Sequence, residues 1–243
     1  MIDFRVETEK RVKAIRELVL KTGAKGIILG NSGGKDSALC AILCKLSCDN
    51  TVGVIMPCDA KQNYGQDMDD ALLLAEQYGI ESRVVDLTSA KLSIVEETEK
   101  VGGITKLAAS NIPPRLRMTT LYLIAQSEGR LVCGTGNKSE RYMGYFTKWG
   151  DGGYDFNPIA DLYATDIYPF LKYLKAPSSI IEKAPQAGLY EGQTDEKDMG
   201  VTYEAIDKFI KEGTGKGEDV KIIMSYHERT HHKRNQALNY PWE

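Results

Sequence analysis

Apolar residues in this chain come in short unbroken runs, most of them followed by a polar, glycine-bearing segment and a stretch of helical periodicity. The runs that read as strands are "KGIILGN" (25–31), "TVGVIMP" (51–57), "SRVVDL" (82–87), "RLVCGT" (130–135) and "FNPIA" (156–160). Helical patterns include 36–47, 66–78 and 114–128. Continuous apolar strands alternating with helices predict an α/β fold, a doubly wound parallel five-stranded sheet with helices on both faces. The segments "NSGGKDS", "PCDAKQN" and "GTGNKSE" each follow a strand. All three should converge on the rim at the carboxyl ends of the strands, where such sheets bind ligands. The glycine-, proline- and charge-rich stretches 148–158 and 183–200 read as long loops, and "EGTGKGE" (212–218) as a hinge before a last helix near 218–238. No repeat or domain boundary interrupts the pattern. One domain over 1–243 is expected, with a C-terminal helical segment at about 213–243.

The stretch "LGNSGGKDSALC" (29–40) carries the strongest chemical signal. A Walker loop, G-x-x-x-x-G-K-[ST], puts its lysine on phosphate and its hydroxyl on magnesium. Here Gly30 and Gly34 stand one residue too close, and Asp36 follows Lys35 where the hydroxyl belongs. What remains is S-G-G-x-D-S, from Ser32 to Ser37, between a strand and a helix start. Backbone N–H groups at such a start attract anions, and Gly33 and Gly34 allow close approach. Asp36 would repel a bare phosphate, so the pattern makes sense with a cation between them. An ordinary glycine-rich turn is the bland alternative.

Composition narrows the choices further. With 243 residues the chain can bury a sizeable core. A net charge of −3 and a pI near 5.8 argue against a broad nucleic-acid surface. The charged start "MIDFRVETEKRVK" is neither a signal peptide nor a membrane anchor, and no apolar run approaches transmembrane length, so a cytoplasmic protein with no membrane or nucleic-acid partner is expected. Five cysteines point to reduced thiols, and Cys40, Cys44 and Cys48 fall at i, i+4 and i+8. That stripe suits core packing, with a metal or sulfur-relay role as the alternative. "HERTH" (227–231) fits the zinc-protease pattern H-E-x-x-H, but the position where metzincins place a further histidine holds Ala237. The neighbouring His232, Lys233 and Arg234 read as an anion-binding cluster or a solvated helix end.

The S-G-G-x-D-S loop resembles that of the N-type ATP pyrophosphatases, which cleave ATP to AMP and pyrophosphate. "GTGNKSERYMGYFTKWGDGGYDFNPIADLY" (134–163), "KAPQAGLYEGQTDEKDMGVTYEAID" (183–207) and "ERTHHKR" (228–234) resemble the NAD synthetases, and the likeness runs nearly end to end. No stretch resembles a glutaminase, so the likeness is to the ammonia-dependent form, usually a homodimer. The resemblance implies amidation of deamido-NAD through an acyl-adenylate, with ATP as co-substrate, Mg2+ as cofactor and ammonia as nitrogen donor. It implies that Gly30, Asn31, Ser32, Gly33, Gly34, Lys35, Asp36, Ser37 and Thr135 hold ATP, with Asp36 and Glu140 as metal ligands. It implies that Arg115, Lys148, Asp155, His232 and Lys233 hold deamido-NAD, and that Asp151 positions or deprotonates ammonium. Two ATP-contact positions depart from the family, which usually has Lys where this chain has Ala164 and Thr or Ser where it has Gln186. Asn31 and Lys35 also replace residues that are usually more apolar. A tRNA-modifying ATP pyrophosphatase and an ATP-sensing module without turnover are the other readings compatible with the loop.

Overall fold

The computed structural model describes residues 2–59, 64–183 and 194–235, and the structural statements below concern those residues. The chain opens with α1 (Phe4–Thr22), whose first N–H groups are capped by the Asp3 carboxylate and whose end is turned by Gly23 at φ 68°. Then follow β1 (Gly26–Gly30), α2 (Lys35–Ser47), β2 (Thr51–Ile55), α3 (Gln66–Tyr78) and β3 (Glu81–Val84). The long return runs through α4 (Thr88–Glu99), α5 (Lys106–Ser110) and α6 (Ile112–Glu128) to β4 (Arg130–Cys133). Pro113 and Pro114 sit in the first turn of α6, where a missing N–H breaks no helical bond. The remaining elements among the described residues are helices: α7 (Lys138–Met143), α8 (Ala164–Leu174), α9 (Ser178–Ile181), α10 (Asp195–Met199), α11 (Tyr203–Glu212), α12 (Gly217–Arg229) and α13 (His231–Arg234).

The sheet is parallel throughout, in the order β3-β2-β1-β4, with Ile28 opposite both Val52 and Val132. Side chains of β1 alternate between two cores, as pleating requires. Ile27 and Leu29 pack with α1, α2, α3 and α8, while Ile28 joins Val52, Val54, Val132 and the inner face of α6. Each such fully buried aliphatic contributes about 1.5–3 kcal/mol. Cys40 and Cys44 belong to the first core, where burial pushes the Cys40 thiol up, so the cysteine stripe packs the domain. A third apolar cluster joins α7, α8, α10, α11 and α12.

Four strands form among the described residues, where the sequence pattern suggests five. The segment 156–160 makes one isolated bridge, Cys133 to Phe156. Pro158 has no N–H to donate, and the Asn157 side chain turns the chain by accepting from Ile159 N at 3.0 Å. The last helix likewise differs: α12 ends at Arg229, and Thr230 separates it from α13.

This topology places the site. The chain leaves β1 toward β2 on one side and returns to β4 on the other, so the winding direction switches between β1 and β4. A crevice opens at the carboxyl ends of strands at such a point. The segments there are 31–34 after β1 and 134–137 after β4.

Candidate active site

The loop after β1 is cross-linked by its own serines. The Ser32 and Ser37 hydroxyls lie 3.0 Å apart, Ser37 Oγ donates to Gly34 O at 3.0 Å, and Gly34 N donates to Ser32 Oγ at 3.3 Å. Gly33 has φ 70°, and Gly34 is the N-cap of α2 with no side chain to occupy the helix start. The first-turn N–H groups of α2 lack intrahelical acceptors and can therefore serve an anion. Asn31 is buried beneath the loop, donating to Ala71 O at 2.9 Å.

Asn137 joins this loop to the segment after β4. Its Nδ2 donates to Asp36 Oδ1 at 3.1 Å, its Oδ1 accepts from Glu140 N at 3.0 Å, and its own N–H donates to Glu140 Oε2 at 2.9 Å. The last two bonds form a capping box at the start of α7. One fully buried amide thus sets the positions of both carboxylates. Burial first, then the neighbouring Asp36 carboxylate, push the Glu140 carboxyl well above the usual range, against the pull of Lys35. Lys35 turns inward and pairs with Asp36. Burial would lower its pKa, but Asp36 and Glu140 outweigh that and raise it.

Two hard carboxylates are a fitting donor set for magnesium, which takes one or two protein carboxylates and completes its shell with phosphate and water. A protein-only cage is not what this site offers. Among the described residues no group of three or more His, Cys, Asp or Glu is arranged to hold a metal.

Both carboxylates border a cavity of about 840 Å³, within the range of small-molecule sites. Gly30, Asn31, Ser32, Gly34, Lys35, Ser37, Thr135, Asp151 and Lys233 also line it. Asp151 is exposed as a residue, but its carboxylate turns back to accept from Thr147 N at 2.8 Å. Removal from water raises its carboxyl in spite of Lys233 and Arg117 nearby. Lys233 spans the loop after α7, donating to Gly144 O at 2.8 Å and Phe146 O at 2.7 Å. A smaller recess of about 130 Å³ lies among Glu140, Asp151 and Lys233.

The family model for NAD synthase matches residues 7–237. The chain belongs to the NAD synthase family. The NH(3)-dependent NAD(+) synthetase of Carboxydothermus hydrogenoformans is 42% identical over 236 residues, covering 96% of each chain. Among solved structures, the NMN synthetase of Francisella tularensis superposes with a TM-score of 0.93 at 38% identity, covering 98% of this chain and 99% of that one. The NH3-dependent NAD synthetase of Campylobacter jejuni, in complex with the nitrate ion, gives 0.81 at 29% identity, with the same coverage of both chains.

Other family-implied residues lie apart from the cavity lining. Arg115 donates to Lys148 O at 3.4 Å, and Lys148 Nζ donates to the carbonyl of exposed His232, so these three form a linked basic cluster. Its members adjoin the cavity-lining Pro114, Thr147 and Lys233 in sequence. Asp155 accepts from Tyr122 Oη at 2.9 Å and Val132 N at 2.8 Å, which ties α6 to β4. Ala164 is buried in the apolar cluster with Tyr203, and its N–H donates to Ser139 Oγ at 3.0 Å, so it presents nothing to the cavity. Gln186 lies outside the described residues. The "HERTH" histidines do not share a helix: His227 stacks on Tyr142 with ring centroids 4.1 Å apart, and His231 lies beyond the break at Thr230.

Several residues that build the site escape a reading of the sequence. Asn137 is the most consequential, and its N-x-x-E spacing was the available signal. Arg117 donates to Met56 O at 3.0 Å, and Lys183 pairs with Asp67 and with Asp70 at 3.0 Å. Tyr168 and Asp195 complete the wall around Lys35.

Proposed function

We propose that the protein is an ammonia-dependent, AMP-forming ligase that converts the nicotinate carboxylate of deamido-NAD into the carboxamide of NAD. The observation that carries this is the S-G-G-x-D-S loop at the sheet's switch point, with Asp36 and Glu140 held together by Asn137. A carboxylate does not exchange oxygen for ammonia unaided, because its oxygens are poor leaving groups. Its oxygen attacks the α-phosphorus of ATP, the bond from that phosphorus to the bridging oxygen breaks, and pyrophosphate leaves. Ammonia then adds to the acyl carbon, AMP departs, and the nitrogen loses one proton. Negative charge gathers on the departing pyrophosphate, so the N–H groups of the loop belong there. Asp36 and Glu140 would hold magnesium, which would supply positive charge near the departing pyrophosphate. Thr135 and the loop hold ATP.

Asp151, bordering the small recess beside Glu140 and Lys233, receives ammonium. A carboxyl raised above its usual range is the better proton acceptor for releasing the free amine. Lys233 meets the acceptor inside the cavity, and the Arg115–Lys148–His232 cluster meets it outside.

The likeness to the Francisella tularensis NMN synthetase favours a second acceptor, nicotinate mononucleotide. The reacting carboxylate is the same, and only the adenylate half of the acceptor differs. One experiment tests the reaction and ranks the acceptors: protein, ATP, Mg2+ and ammonium with either acceptor, followed by phosphorus NMR. AMP and pyrophosphate are expected with ammonium, and no turnover with ammonia-free glutamine. ADP with orthophosphate would sink the reading, and the larger kcat/KM names the physiological acceptor.

The assembly is a homodimer. Leu92 of α4, Leu107 of α5 and Leu123 of α6 are 53%, 75% and 67% exposed, an apolar display suited to a second copy. Light scattering should give twice the mass of one chain, and Leu123→Glu should shift it toward the monomer. A wild-type monomer at micromolar concentration would end this assignment. The working compartment is the cytoplasm, where ATP is abundant and where the five free thiols stay reduced. No helix among the described residues is long and apolar enough to cross a membrane.

A further inference from the structure

Lys35 fills the variable position of S-G-G-x-D-S, yet it is only 6% exposed. A lysine on a surface loop ordinarily carries its ammonium out to water. This one pairs with Asp36 Oδ2, and its Nζ lies 5.5 Å from the ring centre of Tyr203 and 5.9 Å from that of Tyr168. Glu140 also acts on it electrostatically. Two carboxylates and two aromatic faces thus make a compartment for a cation. A side chain of the protein occupies it.

The carboxylates in question are the pair that fits magnesium. Both oxygens of Asp36 are engaged, Oδ1 accepting from Asn137 and Oδ2 from the Lys35 ammonium. A divalent cation approaching Oδ2 would meet the Lys35 ammonium at contact distance, and like charges that close repel. We propose that Lys35 is an internal counter-ion that closes the Asp36–Glu140 pair to divalent cations until nucleotide arrives. The triphosphate then competes for the ammonium, Lys35 moves from Asp36 to a phosphate oxygen, and Asp36 becomes available to metal. Nucleotide and metal consequently favour each other's binding, and the coupling is reciprocal.

The inference rests on the metal reading of Asp36 and Glu140, and manganese binding to the full-length protein tests the two separately. Titration with Mn2+ alone, followed by electron paramagnetic resonance of the free ion, should show weak binding to wild type. Lys35→Met, which fills similar space without charge, should bind Mn2+ at least about tenfold more tightly (about 1.4 kcal/mol). Lys35→Arg should not gain, and Asp36→Asn added to Lys35→Met should remove the gain. Circular dichroism checks folding, and Lys35→Gln stands in should the methionine variant fail. With α,β-methylene-ATP present, water-proton relaxation should report manganese on wild-type protein. Relaxation enhancement there without any gain in Lys35→Met overturns the counter-ion role and leaves the metal reading standing. No enhancement in any variant overturns both.

Discussion

Glu140→Gln should cut turnover about a hundredfold or more without weakening the fold. The Gln side chain keeps an oxygen to accept from Asn137 N–H, so the capping box at the start of α7 survives. What disappears is one of the two carboxylates proposed to hold magnesium. Loss of one preorganised charge-stabilising group lowers kcat by about two to three powers of ten, or roughly 3–4 kcal/mol. Stability should move the other way. Burial and Asp36 hold the Glu140 carboxyl above its unfolded value. A group with that sign contributes stability at acid pH that is lost as pH rises through the folded pKa. The nucleotide-free E140Q protein should therefore melt no lower than wild type at neutral pH, and its stability should fall less on going from acid to neutral. Asp36→Asn provides the contrast. It leaves Lys35 without its ion-pair partner, and breaking such pairs costs up to roughly 3–5 kcal/mol when both are buried. Asp36 is 17% exposed and Glu140 remains near, so a loss of about 2 kcal/mol is expected along with the loss of turnover. Steady-state kinetics and thermal melts check both variants. An active E140Q enzyme would remove Glu140 from the chemistry.

The different fates of these two carboxylates show which parts of the molecule its sequence discloses. Strands β1 and β2 are legible because burial on both faces makes them continuous apolar runs, and four of the five expected strands are found. The fifth segment is apolar too, but Pro158 removes a donor and Asn157 supplies a turn, so composition there misleads about pairing. Helix α1 buries only Ile15 completely along 19 residues, so its apolar stripe is faint next to its charges. The short helices α5, α7, α9 and α10 depend on tertiary packing more than on periodicity.

In the site, the serine, glycine and aspartate offsets of the loop could be read because they are local. Partners remote in sequence could not. Asn137 reaches Asp36 across 101 positions, and Lys183 reaches Asp67 across 116. The variable residue of the loop was ambiguous in a different way, since a lysine there can face water or fold inward. Tyr168 and Tyr203, on helices far along the chain, provide the inward surface. Ala164 fits the same account. The cation that the family resemblance places at 164 is absent, and a buried cation stands at 35 against Asp36.

Gly33→Ala should be among the most damaging single-methyl changes in the chain. Gly33 has φ 70°, a conformation that strains any L side chain by about 1–2 kcal/mol. Space makes matters worse. A Cβ there would stand 2.1 Å from the Asp67 backbone oxygen and 3.0 Å from its carbonyl carbon. Backbone in the first turn of α3 cannot yield as a side-chain tip can, and Asp67 is also tied to Lys183 by an ion pair. Relief requires the loop to rise from α3, and overpacking of this kind adds about 1–3 kcal/mol. The sum, about 2–5 kcal/mol, corresponds to a melting temperature lower by roughly 5–15 °C in a chain of this length. ATP affinity should fall at the same time, because the loop proposed to grip its phosphates is the part displaced. Gly79→Ala separates strain from clash. Gly79 has φ 64°, but nothing lies within 4 Å of its would-be Cβ, and it ends α3 at the far end from the loop. That variant should lose only about 1 kcal/mol and bind ATP as wild type does. Calorimetric melts and ATP titrations of the two variants decide the question. Equal melting temperatures would mean that the loop and α3 do not meet at Gly33 as closely as these distances state.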